Sequence, residues 1–298
     1  MIAKLLSSVT IGLDARAVEI EVDVSHGFPC FNIVGLGDKA VEESKERVRS
    51  AIHNSGLKFP SQKRLVINLA PADIKKEGTI YDLPVALGIL MASGQIEENL
   101  LPKNSIFLGE LALNGDLRHT RSVLPIILFA KQRKIKNIFL PEANLNEAQL
   151  VEGLNIYPLK SLNHLLGHIS KSQLIEAIES KGAEITPRVD FEFDLAFIKG
   201  QEYVKRALEI ASAGGHNILM TGVPGSGKTL LARAMPSILP LPTKEEILEI
   251  TKIYSIAGLL SDDQPLVLER PFRAPHHTIS DVAMVGGGTN PRPGEISL

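Results

Sequence analysis

The run GVPGSGKT at residues 222–229 has the residue types and spacing of a loop that binds phosphate groups. Its glycines let the backbone wrap around an anion and point N–H groups at it. Lys228 can reach the β- and γ-phosphates of a nucleotide, and the Thr229 hydroxyl can ligate Mg²⁺. The sequence therefore predicts a site for ATP and Mg²⁺ formed by Gly222, Pro224, Gly225, Ser226, Gly227, Lys228 and Thr229.

The elements on either side must hold this loop in place. The apolar run 217–221 predicts a short buried strand leading into the loop, and residues 230–235 predict a helix leading out of it. A preceding helix over 201–213 should end at Gly214 and Gly215, where left-handed backbone costs little. Because strand, glycine-rich turn and helix occur in this order, a chance match in a solvated turn is the weaker interpretation.

Composition sets the outer bounds. A chain of 298 residues with 44% hydrophobic and 22% charged residues is typical of a soluble protein, and two domains are favoured over one. The net charge of −2 gives no overall attraction to nucleic acid or membrane, so a nucleic-acid surface would be a local patch. A single cysteine, Cys30, excludes an internal disulfide framework. No targeting segment is visible, and we expect a cytoplasmic protein without a membrane partner.

The N-terminal half alternates strands and helices. The run G-x-G-x-x-A at residues 35–40 lies between a predicted strand and a predicted helix, as in a dinucleotide site. That site also needs an acidic residue at the end of the next strand, and the next strand here ends at Asn68 and Leu69. We therefore favour a tight strand-to-helix turn. We expect strands at 18–24, 31–34, 64–69, 105–109 and 137–140, helices at 38–53 and 81–93, and a hairpin at Asn114-Gly115.

Other candidate residues carry weaker signals. Basic runs at 62–64 and 131–136 could touch phosphates, although such runs are more often solvated faces. The adjacent His276 and His277 cannot share one helical face as metal ligands spaced i, i+4 do. Residues 266–269 form a hydrophobic run that ends in an acid, a weak candidate for a second nucleotide motif. Arg273 and Arg292 suit either a loop near a phosphate backbone or an ordinary surface loop.

Several segments of the first half resemble the proteolytic domain of Lon-type proteases: 76–78 followed by a helix over 82–90, 109–117, 123–125 and 135–144. The resemblance implies an α+β domain over residues 1–165. Lon-type enzymes use a serine activated by a lysine. Here the serine's neighbourhood holds no serine before Ser93, and 122–129 holds no lysine, so we expect no peptidase activity. Thr79 is the one residue that could replace the nucleophile.

The second half resembles AAA+ ATPases, in which the segment corresponding to Gly200 and Gln201 lies against the adenine base. Residues 6–14, 31–38, 270–280 and 285–298 narrow the match to the magnesium-chelatase-like YifB/ComM family. The resemblance implies a hexameric, ATP-driven motor that acts on DNA in recombination and natural competence. It also implies a partial α/β P-loop domain over 191–298. We expect residues 166–190 to form a linker with a short helix over 172–180.

Residues 294–298 resemble the approach to the strand that carries the acidic Walker B pair. We therefore expect Walker B and the arginine finger to lie outside these 298 residues, which leaves the catalytic residues unknown. Two alternatives to a DNA motor remain open. One is a chelatase-type or chaperone-like ATPase that remodels a protein partner, and the other is a nucleotide-binding fragment without turnover.

Overall fold

The computed structural model describes residues 2–180, 191–260, 266–288 and 291–298, without the side chains of residues 98 and 292. The chain divides into two compact units. Unit 1 contains Met1–Ala183 and Ser255–Pro265, and unit 2 contains Glu184–Tyr254 and Leu266–Leu298. Both units combine α and β structure in their described parts.

The first sheet of unit 1 has the strand order β1-β2-β4-β3, in which only β3 and β4 run parallel. Apolar and acidic residues alternate along β2, so one face of the strand packs on the core and the other faces outward. Val18, Ile20 and Val22 are fully buried, whereas Glu19 and Glu21 form ion pairs with Lys4 of β1. Helix α2 lies within the helix predicted over 81–93, and every one of its residues is buried. The elements are β1 (Ile2–Ile11), β2 (Asp14–Ser25), β3 (Cys30–Val34), α1 (Lys39–Asn54), β4 (Arg64–Ala70) and α2 (Asp82–Ala92).

A second sheet of unit 1 has the order β10-β9-β8-β5, and the predicted hairpin at Asn114-Gly115 joins β6 to β7. The helix expected over 172–180 is wrong: this segment contains the two-residue strand β10, whose backbone pairs with β9. The elements are β5 (Ser105–Phe107), β6 (Glu110–Leu111), β7 (Leu117–Arg118), α3 (Val123–Gln132), β8 (Asn137–Pro141), α4 (Leu145–Ala148), β9 (Asn155–Leu159), α5 (Leu162–Ile169) and β10 (Ile178–Glu179).

Unit 2 has a small core in which Leu195, Leu208, Leu231 and Ala234 are buried together. These residues come from α6, α7 and a turn before α6, so the core fixes the helix that follows the glycine-rich loop. The elements are α6 (Glu202–Gly214), α7 (Lys228–Ala234), α8 (Lys244–Ala257), α9 (Asp281–Val285), β11 (Gly286–Gly287) and β12 (Arg292–Pro293). Residues 255–257 of α8 belong to unit 1. No helix in the described part of the chain is long and apolar enough to cross a membrane.

Candidate nucleotide-binding site

The glycine-rich loop before α7 adopts the backbone that its sequence predicts. Gly225 has φ +79° and Gly227 has φ +86°, a region that residues with a Cβ rarely adopt. A side chain at Gly222 would begin 3.2 Å from the Ser226 hydroxyl, so a Cβ there would crowd the interior of the loop. Leu231 N–H donates to the Gly227 carbonyl at 3.0 Å, which ties the loop to the first turn of α7. Backbone conformation therefore favours glycine at positions 225 and 227, and the space inside the loop favours glycine at position 222.

Lys228 folds back over the loop. Its ammonium donates to the Gly222 and Val223 carbonyls, each at 2.9 Å, and to the Ser226 hydroxyl at 3.3 Å. All three acceptors are neutral, and Lys228 has no carboxylate partner among the residues that the structure describes. A cation held only by neutral oxygens of a glycine-rich loop is suited to a phosphate, whose charged oxygens bind it more strongly. The residues present thus fit a nucleotide phosphate.

The remaining loop residues are open to solvent. Pro224 and Thr229 are exposed, and Ser226 is half-buried against Lys228. The Thr229 hydroxyl has no hydrogen-bond partner within the described ranges, which leaves its oxygen available as a Mg²⁺ ligand. Described residues contain no cluster of three or more His, Cys, Asp or Glu side chains that could hold a metal by themselves. A Mg²⁺ ion here would therefore depend on phosphate oxygens and water, as is usual for this ion.

The strand predicted at 217–221 is wrong. The segment has no regular secondary structure and belongs to no sheet, and Leu219 is 87% exposed. A strand needs a neighbour for its backbone groups, and none of the strands in the described residues pairs with it. The apolar pattern of 217–221 is compatible with a strand, but the described residues contain no neighbouring strand that pairs with it.

Gly200 and Gln201 lie at the start of α6. Both have positive φ, +68° and +61°, and both are exposed. Ile198 and Met220 pack against the same small core, each two residues before one of the two nucleotide segments. The core therefore holds the chain just before Gly200 and just before the loop. Their contact with an adenine base stays a prediction.

The remaining candidate residues of unit 2 have different surroundings. Arg273 makes a bidentate ion pair with Glu295 at 2.7 and 2.6 Å, so its charge is already compensated. The His276 and His277 rings lie 4.2 Å apart between centroids at an interplanar angle of 38°, and His276 hydrogen-bonds to Thr278. Residues 266–269 form no strand. Arg292 lies in β12, and its side chain lies outside the described part of the structure.

The turn at residues 35–38 of unit 1 is closed by other parts of the chain. Asp38 caps α1 by accepting from Val41 N–H at 2.9 Å, and its second oxygen accepts from Gly78 N–H at 3.2 Å. The backbone of Lys76 bonds to Leu36 O and Asp38 N, each at 2.9 Å. A carboxylate thus occupies the helix start where a phosphate would have to bind, and the two would repel each other. This geometry favours the tight-turn interpretation.

One feature of unit 2 had a readable signal that the sequence analysis missed. Thr243 and Glu246 form a reciprocal capping box at the start of α8: Thr243 N–H donates to the Glu246 carboxylate at 2.7 Å, and Glu246 N–H donates to the Thr243 hydroxyl at 3.2 Å. The pattern T-x-x-E before a periodic run predicts this helix start. Glu246 also pairs with Arg270 at 3.0 and 3.1 Å, which no local pattern predicts.

Comparison with known proteins identifies the family. The family model of subunit ChlI of magnesium chelatase matches residues 20–144, and a second model, magnesium chelatase, subunit ChlI, matches residues 194–298. Competence protein ComM of Haemophilus influenzae is 42% identical over 303 residues, covering 100% of this chain and 58% of ComM. The chain belongs to the ComM and YifB family. YifB of Escherichia coli is 41% identical over 291 residues, 97% of this chain and 56% of YifB.

This ComM/YifB-family chain spans less than two thirds of the length of these relatives. Two more distant matches each cover part of it. Lon protease 2 of Bacillus subtilis is 25% identical over 167 residues, 51% of this chain and 29% of that protein. DNA repair protein RadA of Campylobacter jejuni is 33% identical over 93 residues, 31% of this chain and 19% of that protein. The family match and the fold support a mixed α/β protein with a magnesium-chelatase-like second half.

In the region that we expect to resemble Lon-type proteases, the side chains next to the expected nucleophile have other partners. The Thr79 hydroxyl donates to the Glu110 carboxylate, and the Lys76 ammonium donates to the Pro71 carbonyl. Lys76 is fully buried, and burial lowers the pKa of its ammonium. Asp82, also buried, accepts from the Arg47 guanidinium at 2.6 and 3.1 Å. Thr79 and Lys76 therefore do not bond to each other as a nucleophile and base would.

Proposed function

We propose that unit 2 binds ATP with Mg²⁺ through the loop at residues 222–229. The main support is the position of the Lys228 ammonium, which donates only to neutral oxygens of the loop and has no carboxylate partner in the described residues. A bound triphosphate supplies the charged oxygens for Lys228 and, through Mg²⁺, for Thr229. Gly200 and Gln201 lie beside the adenine base. No catalytic residue is assigned to the described part of the chain.

The protein is, in this proposal, part of an ATP-driven motor that remodels branched DNA during recombination and works as a hexamer. The membership in a family with a competence protein and the partial match to a DNA repair protein support this function. A second candidate is an ATPase that remodels a protein partner, which the match to a magnesium-chelatase subunit favours. The nucleotide site is the same in both.

The Lys228→Ala variant tests the site. Loss of two charge-assisted contacts to phosphate weakens ATP binding by about 100-fold or more. Equilibrium binding of a fluorescent ATP analogue measures the change, with Lys244→Ala as the matched control because Lys244 is an exposed lysine of the same unit. An unchanged affinity in Lys228→Ala contradicts the proposal.

Steady-state hydrolysis with and without branched DNA separates the two candidate functions. Turnover that rises with DNA supports the DNA motor, and turnover indifferent to DNA favours the protein remodeller. Binding without turnover supports a nucleotide site whose hydrolytic partners are not among these residues. ATP binding is measured before hydrolysis. A protein that fails to bind ATP is then distinguished from one that binds ATP but is not stimulated by DNA.

A further inference from the structure

One end of the first sheet of unit 1 brings together side chains that are distant in sequence. Ser25 at the end of β2 and Cys30 at the start of β3 both lie opposite Arg64, the first residue of β4. The loops at 26–29 and 59–63 therefore meet at the same end of the sheet. We call the side chains at this place the aromatic–basic end, and they are Phe28, Phe31, Phe59, Arg49, Lys63 and Arg64.

The aromatic rings differ in how they are held. Phe31 and Phe59 lie 5.6 Å apart between ring centroids and pack, partly buried, against the core of unit 1. Phe28 is 89% exposed in the loop beside them. A ring this exposed gains little from folding, since burial is what stabilises an aromatic side chain. Phe28 is thus a large apolar face available to a ligand.

Basic side chains lie at the same end of the sheet as these rings. The Arg49 guanidinium carbon is 5.2 Å from the Phe59 ring centroid. The Arg64 side chain lies along Gly27, where a side chain at Gly27 would begin 3.7 Å from the Arg64 Cβ. Lys63 and Arg64 have no carboxylate partner in the described ranges of the chain. Glu46 lies 3.5 Å from Arg49, but both groups are exposed, so this ion pair is weak.

The aromatic–basic end is therefore locally positive on a chain whose net charge is −2. Positive side chains at the same end of a sheet as an exposed aromatic ring match single-stranded nucleic acid, in which phosphates alternate with unstacked bases. A duplex offers the same phosphates, but its bases are stacked on each other and cannot cover Phe28. We propose that this end of unit 1 binds single-stranded nucleic acid, with Phe28 stacking on a base and Arg49, Lys63 and Arg64 contacting phosphates.

This surface belongs entirely to unit 1 and does not depend on the nucleotide site. The test measures fluorescence anisotropy of a labelled oligothymidine of about 16 nucleotides, which fits one small binding surface. It uses the whole chain without nucleotide, at several salt concentrations. Parallel measurements use an oligouridine of the same length, a DNA duplex and polyglutamate.

Removal of the exposed ring is the decisive change. Phe28→Ala weakens binding of the single strand about tenfold, because one base loses its aromatic partner. Binding of the duplex stays unchanged. Phe28→Tyr keeps the affinity, since tyrosine also stacks, whereas Phe28→Leu does not. Leu174→Ala is the matched control, because Leu174 is an exposed apolar residue, 69% exposed, elsewhere in unit 1.

The basic side chains are tested separately, through the dependence of binding on salt concentration. Lys63→Ala reduces the slope of log affinity against log salt by about 0.7, the value for one lost phosphate contact on a single strand. Lys136→Ala, an exposed lysine outside the aromatic–basic end, leaves the slope unchanged. Equal binding of thymidine and uridine strands supports stacking and phosphate contacts as the whole basis of recognition, and preference for either strand supports a sugar contact in addition.

Three outcomes overturn the proposal. The first is an affinity of Phe28→Ala for single strands equal to that of the unchanged protein. The second is no binding of any single strand at low salt. The third is polyglutamate that competes as well as the oligonucleotide, which would assign the surface to acidic proteins. Circular dichroism of each variant establishes that the loss of binding is not a loss of folding.

Discussion

Two glycine-rich turns of this protein lead into helices, and they differ in what occupies the helix start. The turn before α1 is filled by the Asp38 carboxylate and closed by the backbone of residues 76–78. The loop before α7 contains the Lys228 ammonium on neutral oxygens. Glycines allow both shapes, but the charge at the helix start decides whether a phosphate can bind. The first turn is structural, and the second is the nucleotide site that we propose.

The largest expected effect breaks the structural turn. At Gly35 φ is +107°, and a side chain would begin 2.2 Å from the Leu69 carbonyl oxygen. Gly35→Ala should therefore lower the free energy of unfolding of unit 1 by about 4 kcal/mol, combining overpacking with backbone strain. Denaturant unfolding measures it, and ATP affinity in the folded protein should not change.

Gly12→Ala is the control for Gly35→Ala. Gly12 also has positive φ, +59°, but nothing lies within 4 Å of its would-be side chain, so only the strain of about 1 kcal/mol remains. Equal destabilisation by the two substitutions would show that contact with Leu69 does not constrain the turn.

The second effect is a dependence on pH at Asp82, in the helix that follows residues 76–78 of the closed turn. Residues 76–78 of the closed turn lead into α2, whose first residue is Asp82. Burial raises the pKa of Asp82 from 3.8 to about 6, against the opposing effect of Arg47. The folded state thus binds the proton more tightly than the unfolded state does. The contribution of Asp82 to stability is present below about pH 4 and is lost as the pH rises to about 6.

The loss amounts to about 3 kcal/mol, since one unit of pKa corresponds to 1.36 kcal/mol. Unfolding of unit 1 between these pH values, compared with Asp82→Asn, isolates the contribution. The variant cannot titrate at this position and should show a flatter dependence. Parallel curves for both proteins would mean that Asp82 keeps an ordinary pKa.

The smallest effect concerns the nucleotide loop. Gly227 has φ +86°, and nothing lies within 4 Å of a side chain there. Gly227→Ala should therefore cause strain of about 1–2 kcal/mol without a clash, which weakens ATP binding about tenfold if the loop must keep this backbone. Equilibrium binding of an ATP analogue measures it.

Gly153→Ala is the matched control for Gly227→Ala. Gly153 has φ +87° and equally open surroundings, but it lies in unit 1. It should cause similar strain and leave ATP affinity unchanged. If Gly227→Ala binds ATP like the unchanged protein, the left-handed backbone at this position is not required for the site.

The local elements of unit 1 could be predicted because they depend on short-range patterns. The alternation in 18–24 predicts β2, the apolar run 83–94 predicts buried α2, and Asn114-Gly115 predicts the β6–β7 hairpin. The strand at 217–221 was wrong because an apolar pattern does not state whether a neighbouring strand exists. The helix over 172–180 was wrong because pairing with β9 overrides a weak helical pattern.

The sequence by itself predicted the loop that we propose as the nucleotide site, since residues 222–229 carry its functional groups in consecutive positions, and it determined the family. Only the tertiary structure decided that Asp38 and residues 76–78 close the similar turn at 35–38. The same holds for the aromatic–basic end, where the Phe31 and Phe59 rings lie 5.6 Å apart. The physical reason is that these groups are brought together by strand pairing and helix packing, whose partners lie tens of residues apart and leave no periodic signal in the chain.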